Sequence, residues 1–326
     1  MTQYGSLLAV DLGGTRIRVA RLNRALEVEA RVEDWTRPER GPDDAIGRMV
    51  NMLQSVWPDG QADVAIGVAA PGPLNPHNGV LLSPPNLKWQ NVPLKAQLEA
   101  RFDVSVWLGN DADAAALAEG GVGAGRGFDH FVYLTVSTGI GSGVIVDGRL
   151  HNGARGLATE AGLIPMLVAP DGPVQTLEDL AAGPDMVRAF QMRVAAGEVS
   201  RLAASGADLT TEAIGTAARE GDALAIDVIA KAGRVFGLGV VTLLQLFNPQ
   251  RVVVGGGASQ LGDLYFEPAW ESIRRYCADP AFYDGMEMVA AECGADVGLI
   301  GAGMLVLSSG GKTRLSDTAA LLGRAP

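Results

Sequence analysis

Two glycine-rich stretches carry the residue pattern of a phosphate grip. In the first, Asp11-Leu12-Gly13-Gly14-Thr15 follows the apolar run Ser6–Val10 and precedes Arg16–Leu22, where apolar and charged residues alternate. Strand, glycine turn and strand make a hairpin. Free of bulky side chains, its turn aims several backbone N–H groups at one concave side, where phosphate oxygens bind. Asp11, ending the preceding strand, is placed to hold a hydrated Mg²⁺ that bridges those phosphates. In the second, Thr138-Gly139-Ile140-Gly141-Ser142-Gly143 lies between the apolar runs Phe131–Val136 and Val144–Val146. It is not the dinucleotide fingerprint, because a strand and not a helix follows it. Either stretch alone is also an ordinary glycine hairpin. The same device twice, once in each half of the chain, would clamp a polyphosphate from two sides.

Further polar residues sit where such a ligand would need them. Asn110-Asp111 follows the apolar strand Val104–Leu108 and opens an Ala-rich helix. An Asp at that strand end can take the proton from a substrate hydroxyl as it attacks a γ-phosphate, and the competing reading is a plain helix cap. Gly255-Gly256-Gly257 ends the β run Arg251–Val254. It either lets backbone lie flat against a purine and ribose or makes a tight strand-to-helix turn. Glu160 and Glu178 follow the second glycine loop and read equally as solvated surface charges. Asn86, in the stiff turn Ser83-Pro84-Pro85-Asn86-Leu87, is a turn residue or a hydroxyl ligand. Gly310-Gly311-Lys312-Thr313 imitates the end of a P-loop, but Val306 stands where that motif needs its first glycine.

These positions need strands that end in turns, and the pattern supplies them. Val64–Ala70 runs into Pro71-Gly72-Pro73, as Arg251–Val254 runs into glycines. Helical spacing covers Pro42–Trp57, Val92–Phe102 with Asn91 as a candidate cap, Asp111–Gly120, Glu178–Val194, Ala223–Phe247 and Val297–Leu307. Strands and helices alternate, which predicts an α/β fold with a mixed sheet in each half. The expected domains are 1–115, joined by a returning helix at about 297–310, and 116–296, with a loosely docked tail over 311–326.

Composition narrows the partners. The chain has 326 residues with 26 Lys+Arg against 37 Asp+Glu, a net charge of −11. That balance, with no basic run, disfavours nucleic acid. No apolar stretch reaches the roughly 18 residues of a bilayer span, and the first ten residues lack the shape of a signal peptide, so the expected location is cytoplasmic. Cys277 and Cys293 alone cannot build a disulfide framework. There are 43 glycines, about twice the usual ~7% share, gathered at the ends of apolar runs.

Taken in order, VDLGGTRIRVARL, IGVAAPGPL, SPPNLKW, GNDADAAALAE, LTVSTGIGSGVIVDGRL, NGARGLATEAG and FNPQRVVVGGGAS resemble the ROK family of repressors and sugar kinases, within the actin/hexokinase superfamily. The resemblance spans residues 7 to about 260, and Gly298-Leu299-Ile300-Gly301-Ala302 extends it. It implies two actin-like, ribonuclease-H-like domains flanking a cleft. It also implies a glucokinase-like enzyme that moves the γ-phosphate of ATP to a hexose hydroxyl, usually O6, with Mg²⁺, and often a homodimer. Carried over, Asp11, Gly13, Gly14 and Thr15 form the first phosphate loop, and Thr138, Gly139 and Gly141 the second. Gly255, Gly256 and Gly257 lie at the adenosine, Asp111 is the base, and Asn86, Asn110, Glu160 and Glu178 bond sugar hydroxyls.

One departure stands out. Family kinases commonly carry Glu-x-Gly-His followed by a cysteine-rich zinc segment. Here the first element reads Glu160-Ala161-Gly162-Leu163, and Ile164–Thr176 holds no cysteine. No zinc is expected, and the loss of a histidine that usually touches the sugar fits a site with one polar contact fewer, a substrate lacking that hydroxyl arrangement, or a non-catalytic sugar or nucleotide sensor of the same fold. A separate alternative keeps the kinase and takes polyphosphate as donor. The repressor branch carries an additional N-terminal helix-turn-helix, for which residues 1–5 leave no room.

Overall fold

The computed structural model describes residues 4–60, 63–166 and 172–322. In chain order it opens with β1 (Ser6–Leu12), β2 (Arg16–Leu22), β3 (Val28–Trp35), α1 (Pro42–Ser55) and β4 (Val64–Ala70). The short β5 (Leu74–Asn75) and β6 (Val80–Leu81), then α2 (Leu94–Phe102), β7 (Val106–Asn110) and α3 (Asp111–Val122) follow. Next come β8 (Phe131–Val136), β9 (Ile140–Val146), β10 (Arg149–Leu150), β11 (Pro165–Met166) and β12 (Gln175–Thr176). Four helices lead to the longest one: α4 (Leu177–Ala181), α5 (Gly183–Ala195), α6 (Arg201–Ser205), α7 (Thr211–Arg219) and α8 (Ala223–Phe247). The chain closes with β13 (Arg251–Gly255), α9 (Asp263–Tyr276), β14 (Glu287–Ala290), α10 (Val297–Leu307) and α11 (Leu315–Leu321).

Two five-stranded sheets have the same order, β3-β2-β1-β4-β7 and β10-β9-β8-β13-β14. In the first, β2 is antiparallel to both β1 and β3, while β1, β4 and β7 run parallel. In the second, β9 and β10 are antiparallel and β13 and β14 parallel. Both sheets are therefore mixed, and the fold is α/β. The internal strand β4 is buried at every position, as a strand covered on both faces must be. The edge strand β3 alternates exposed and half-buried residues.

Small residues admit the helices that cover these sheets. A Cβ on Gly67 of β4 would sit 1.8 Å from the Ala302 carbonyl oxygen of α10, and one on Gly301 of α10 would sit 2.3 Å from the Ala114 carbonyl of α3. Helix α10 thus returns from the C-terminal part of the chain to the first sheet. In α8, Asp222 caps the first turn through Ala225 N–H at 3.1 Å, and Asn248 ends it in the left-handed region at φ 43°. A buried stripe from Leu224 to Leu244 faces the core, and Gly233 and Gly237 let the α9 carbonyls of Tyr265 and Ala269 approach to 2.3 Å of a notional Cβ.

The chain divides into two compact units, Met1–Phe131 with Gly143–Thr159 and Glu292–Pro326, and Val132–Ser142 with Glu160–Ala291. The boundary expected at residue 115 falls inside α3, and that helix lies whole in the first unit because α10 packs along it. The described part of the tail is docked on the first unit. Leu315 N–H donates to Gly148 O at 2.8 Å, Arg314 pairs with Asp129 at 2.6 Å, and Leu315 and Thr318 are buried. Helix α2 begins at Leu94 after Pro93, so Asn91, at φ 51°, is a turn residue and not its cap. The single helix expected over Glu178–Val194 is two, broken at Ala182, where Gly183 N–H leaves the helix to bond Ser137 O at 2.9 Å. Among the described residues no helix is long and apolar enough to cross a membrane.

Candidate active-site residues in the two units

In the first unit, the turn between β1 and β2 is pinned from behind. Gly13 N–H donates to Arg16 O at 2.9 Å, the Thr36 hydroxyl donates to Gly13 O at 2.6 Å, and Thr36 N–H donates to Thr15 O at 2.8 Å. Gly14 is required by a neighbour rather than by its dihedrals: a Cβ there would lie 2.9 Å from Cβ of Asn86. The Pro84–Lys88 turn that delivers Asn86 is anchored by buried Leu87 and Trp89, the latter donating from Nε1 to Pro38 O at 3.2 Å. Asn86 itself is exposed.

Asp11 projects from β1 toward the start of α10, where a Cβ on Gly298 would lie 2.6 Å from its carboxyl carbon. Burial pushes the Asp11 carboxyl above its usual range; Arg18 and Arg31 pull it down, and Asp296 pushes it up. Arg18 Nε stands 3.3 Å from Asp11 Oδ2 across the hairpin, and Arg31 pairs with Asp296 at 2.7 Å. A desolvated carboxylate beside a phosphate-type turn fits Mg²⁺ of the kind that keeps most of its waters and takes its other ligands from substrate phosphates. Among the described residues no cluster of three or more His, Cys, Asp or Glu could hold a metal by itself. Residues 167–171, within the segment where family members carry zinc cysteines, lie outside the described residues.

At the end of β7, Asn110 caps α3, its Oδ1 accepting from Ala112 N–H at 2.8 Å and Asp113 N–H at 3.3 Å. Asp111 is the first helical residue and is exposed, one of its oxygens accepting from Ala112 N–H at 2.8 Å. The ten residues after it, Ala112–Gly121, are all buried, so the helix is rigidly seated while its first residue is exposed.

In the second unit, the turn between β8 and β9 is shorter than the glycine pattern indicates. It comprises Ser137, Thr138 and Gly139, closed by Ser137 N–H to Gly139 O at 2.9 Å, whereas Gly141 already lies in β9. The strand starts early because Ile140 is buried and Ser142 Oγ accepts from Ala161 N–H at 2.9 Å. Glu178 locks this turn: its Oε2 accepts from Ile140 N–H at 2.7 Å, in the space a Cβ on Gly139 would fill. A capping box between Thr176 and Asp179 fixes the first turn of α4 and with it Glu178. Glu160 stands at the head of a tight turn, Ala161–Leu163, whose Gly162 presses against Ile140 O, 2.0 Å from a notional Cβ. Partial desolvation and then the Glu178 carboxylate raise the Glu160 pKa above its ordinary value.

The three glycines after β13 divide their work. A Cβ on Gly255 would meet the Tyr133 hydroxyl at 2.5 Å. Gly256, at φ +79°, lies against Val136 O, 2.4 Å from a notional Cβ. Gly257 has open space, and it lines a pocket of ≈ 550 Å³ together with Thr138, Pro184, Val187, Thr211 and Glu212. That volume is ordinary for a small-molecule site.

The ROK family model matches residues 7–309. The chain belongs to the ROK family. A glucokinase of Thermotoga maritima is 33% identical over 310 residues, covering 92% of this chain and 96% of the relative. A xylose repressor of Caldicellulosiruptor bescii is 31% identical over 86% of this chain and 73% of its own length. Among solved structures, a ROK family glucokinase from Streptomyces griseus in complex with glucose and AMPPNP superposes with a TM-score of 0.77 at 30% identity, covering 92% of this chain and 99% of that one.

Within this ROK fold the structure gathers Asn86 and Gly14 at one turn, Asp11 and Gly298 at one helix start, and Glu160, Glu178 and Gly139 at the other turn. Asn110 spends its side-chain oxygen on capping, and Gly255 and Gly256 serve packing. Sequence reasoning missed Arg18, although its alternation with Ile17 and Val19 puts it on the Asp11 face. It also missed the pocket wall Gly183–Pro184 and Thr210–Glu212. The only trace of that wall in the sequence is Gly-Pro and Thr at two helix starts.

Proposed function

We propose that this ROK protein is an ATP-dependent hexose kinase, transferring the γ-phosphoryl group with Mg²⁺ to a sugar hydroxyl, O6 of glucose or a related hexose. The observation that carries the reading is Asp111: an exposed carboxylate on a rigidly seated helix start, in the unit that also holds the Gly13–Thr15 turn and Asp11. Similarity to a glucokinase over 96% of that enzyme's length supports it.

In this reading Asp111 accepts the proton of the sugar hydroxyl as its oxygen attacks the γ-phosphorus, and the bond to the ADP oxygen breaks. A weak base suffices, because a loose transition state needs little proton removal early. Backbone N–H groups at Gly14 and Thr15 and at Thr138, Gly139 and Gly141 would take phosphate oxygens, preorganised donors that cost no rearrangement during the reaction, while the Gly13 N–H closes the first turn onto Arg16 O. Mg²⁺, when bound near Asp11, supplies neutralisation of the charge on the transferring phosphates. Asn86, Asn110, Glu160 and Glu178 would orient the sugar hydroxyls, with Oε2 of Glu178 already engaged by the Ile140 amide. Gly257, rather than Gly255 or Gly256, would border the adenosine.

One observation favours a second reading, sugar binding without turnover. Leu163 is 59% exposed at the position where family kinases carry histidine, and a repressor stands among the relatives. A coupled ATP/hexose assay on the wild type and an Asp111 variant separates the two.

A further inference from the structure

The pocket beside the second glycine turn has an uneven chemistry. Val136, Pro184, Val187 and Ala258 give it apolar walls, and Thr138 brings the turn to its edge. Among the described residues no Lys, Arg or His lines it, and the one ionisable side chain in its lining is Glu212. Glu212 is exposed at the second residue of α7. The cap of that helix is made without it, by Thr210 Oγ1 accepting from Ala213 N–H at 3.1 Å. Pro184 and Thr211 are held at the turn itself: Gly183 N–H bonds Ser137 O at 2.9 Å, and a Cβ on Gly183 would lie 2.8 Å from Thr211 Oγ1. Thr210 and Glu212 also line a second pocket of ≈ 590 Å³, so Glu212 borders both.

We propose that Glu212 makes this pocket selective for a nucleoside over a polyphosphate chain, its carboxylate accepting hydrogen bonds from ribose hydroxyls. A carboxylate is acceptor-only, and the two vicinal hydroxyls of a ribose are the donors it can take together. A phosphate chain offers no donor and meets a like charge with no compensating cation among the described lining residues. The apolar walls suit the faces of a base. This inference rests on the kinase reading for the identity of its ligand and adds the residue that selects the donor.

The test is a set of dissociation constants by calorimetry. ATP, 2′-deoxy-ATP and 3′-deoxy-ATP are titrated into the wild type, Glu212→Gln and Glu212→Ala, with inorganic polyphosphate as competitor against ATP in the wild type and Glu212→Lys. In the wild type the deoxy compounds bind about tenfold more weakly than ATP, the loss of a hydrogen bond to a charged group. In Glu212→Ala that ratio falls to about twofold or less, with Glu212→Gln between. Polyphosphate displaces ATP from Glu212→Lys and not from the wild type. The inference is overturned if the alanine variant keeps the full deoxy discrimination, or if polyphosphate competes equally with both proteins. If the wild type phosphorylates a hexose from ATP while these ratios ignore Glu212, only this inference falls. If it neither binds ATP nor phosphorylates a hexose, the kinase reading falls with it.

Discussion

The carboxylate of Glu178 accepts a hydrogen bond from the backbone N–H of Ile140 at 2.7 Å. A residue on α4 thereby holds the glycine turn between β8 and β9, and Gly139 leaves the room in which it does so. A side chain that sequence reading places at the sugar thus braces the turn that the same reading assigns to phosphate, and under the proposed kinase function sugar and nucleotide contacts would share a support.

Removing that brace has a two-sided consequence. Glu178→Ala leaves the Ile140 amide unpaired and the turn loose, and kcat/KM falls about a hundredfold with the KM for ATP raised as well as that for the hexose. Glu178→Gln keeps an acceptor oxygen and loses less on the ATP side. Steady-state kinetics with each substrate varied checks this; a Glu178→Ala variant with an unchanged KM for ATP would show that the turn stands without it.

The raised pKa of Glu160 gives a pH dependence with a definite sign. Partial desolvation and the Glu178 carboxylate disfavour its charged form, so folding favours the protonated acid. Its contribution to stability is present at low pH and is lost as pH rises through the raised value. Hexose binding, which needs the ionised acceptor, strengthens over the same range. Glu178→Gln removes the like charge and moves the Glu160 titration to lower pH, as read from its carboxyl carbon by NMR. An unmoved titration would mean that desolvation alone sets it.

Buried Glu119 is a structural tie rather than a catalytic acid. Fully inaccessible, it accepts from Ala124 N–H at 2.8 Å, Cys293 N–H at 2.9 Å and Glu292 N–H at 3.1 Å, joining α3 to the segment that leads into α10. Glu119→Ala strands these donors and lowers stability by about 3 kcal/mol, seen as a lower urea midpoint at unchanged slope. A loss under about 1 kcal/mol would mean that water replaces the carboxylate.

Much of the fold was legible because local signals agreed with tertiary ones. The ends of α8 are written in Asp222 and Asn248, and β2, β4 and β8 have the bounds their patterns predict. Strand β3 was missed although Val28, Ala30 and Val32 alternate with Glu29, Arg31 and Glu33 just as the residues of β2 do. The break at Ala182 escaped because its cause, the Ser137 carbonyl, is distant in sequence. At the site, the two turns and Asp111 were visible as residue patterns. The contacts of Gly14 with Asn86, Gly298 with Asp11 and Glu178 with Ile140 were not, since each exists only once the chain has folded.

The kinase reading meets its most direct test in a coupled ATP/hexose assay on the wild type and Asp111→Ala, with ATP affinity measured alongside. The wild type turns over with at least one hexose, and Asp111→Ala loses about 10²- to 10⁴-fold in kcat, the usual worth of a general base, while its ATP affinity holds within about twofold. Turnover unaffected by the substitution, or a wild type that binds hexose yet phosphorylates none from ATP, would contradict the account.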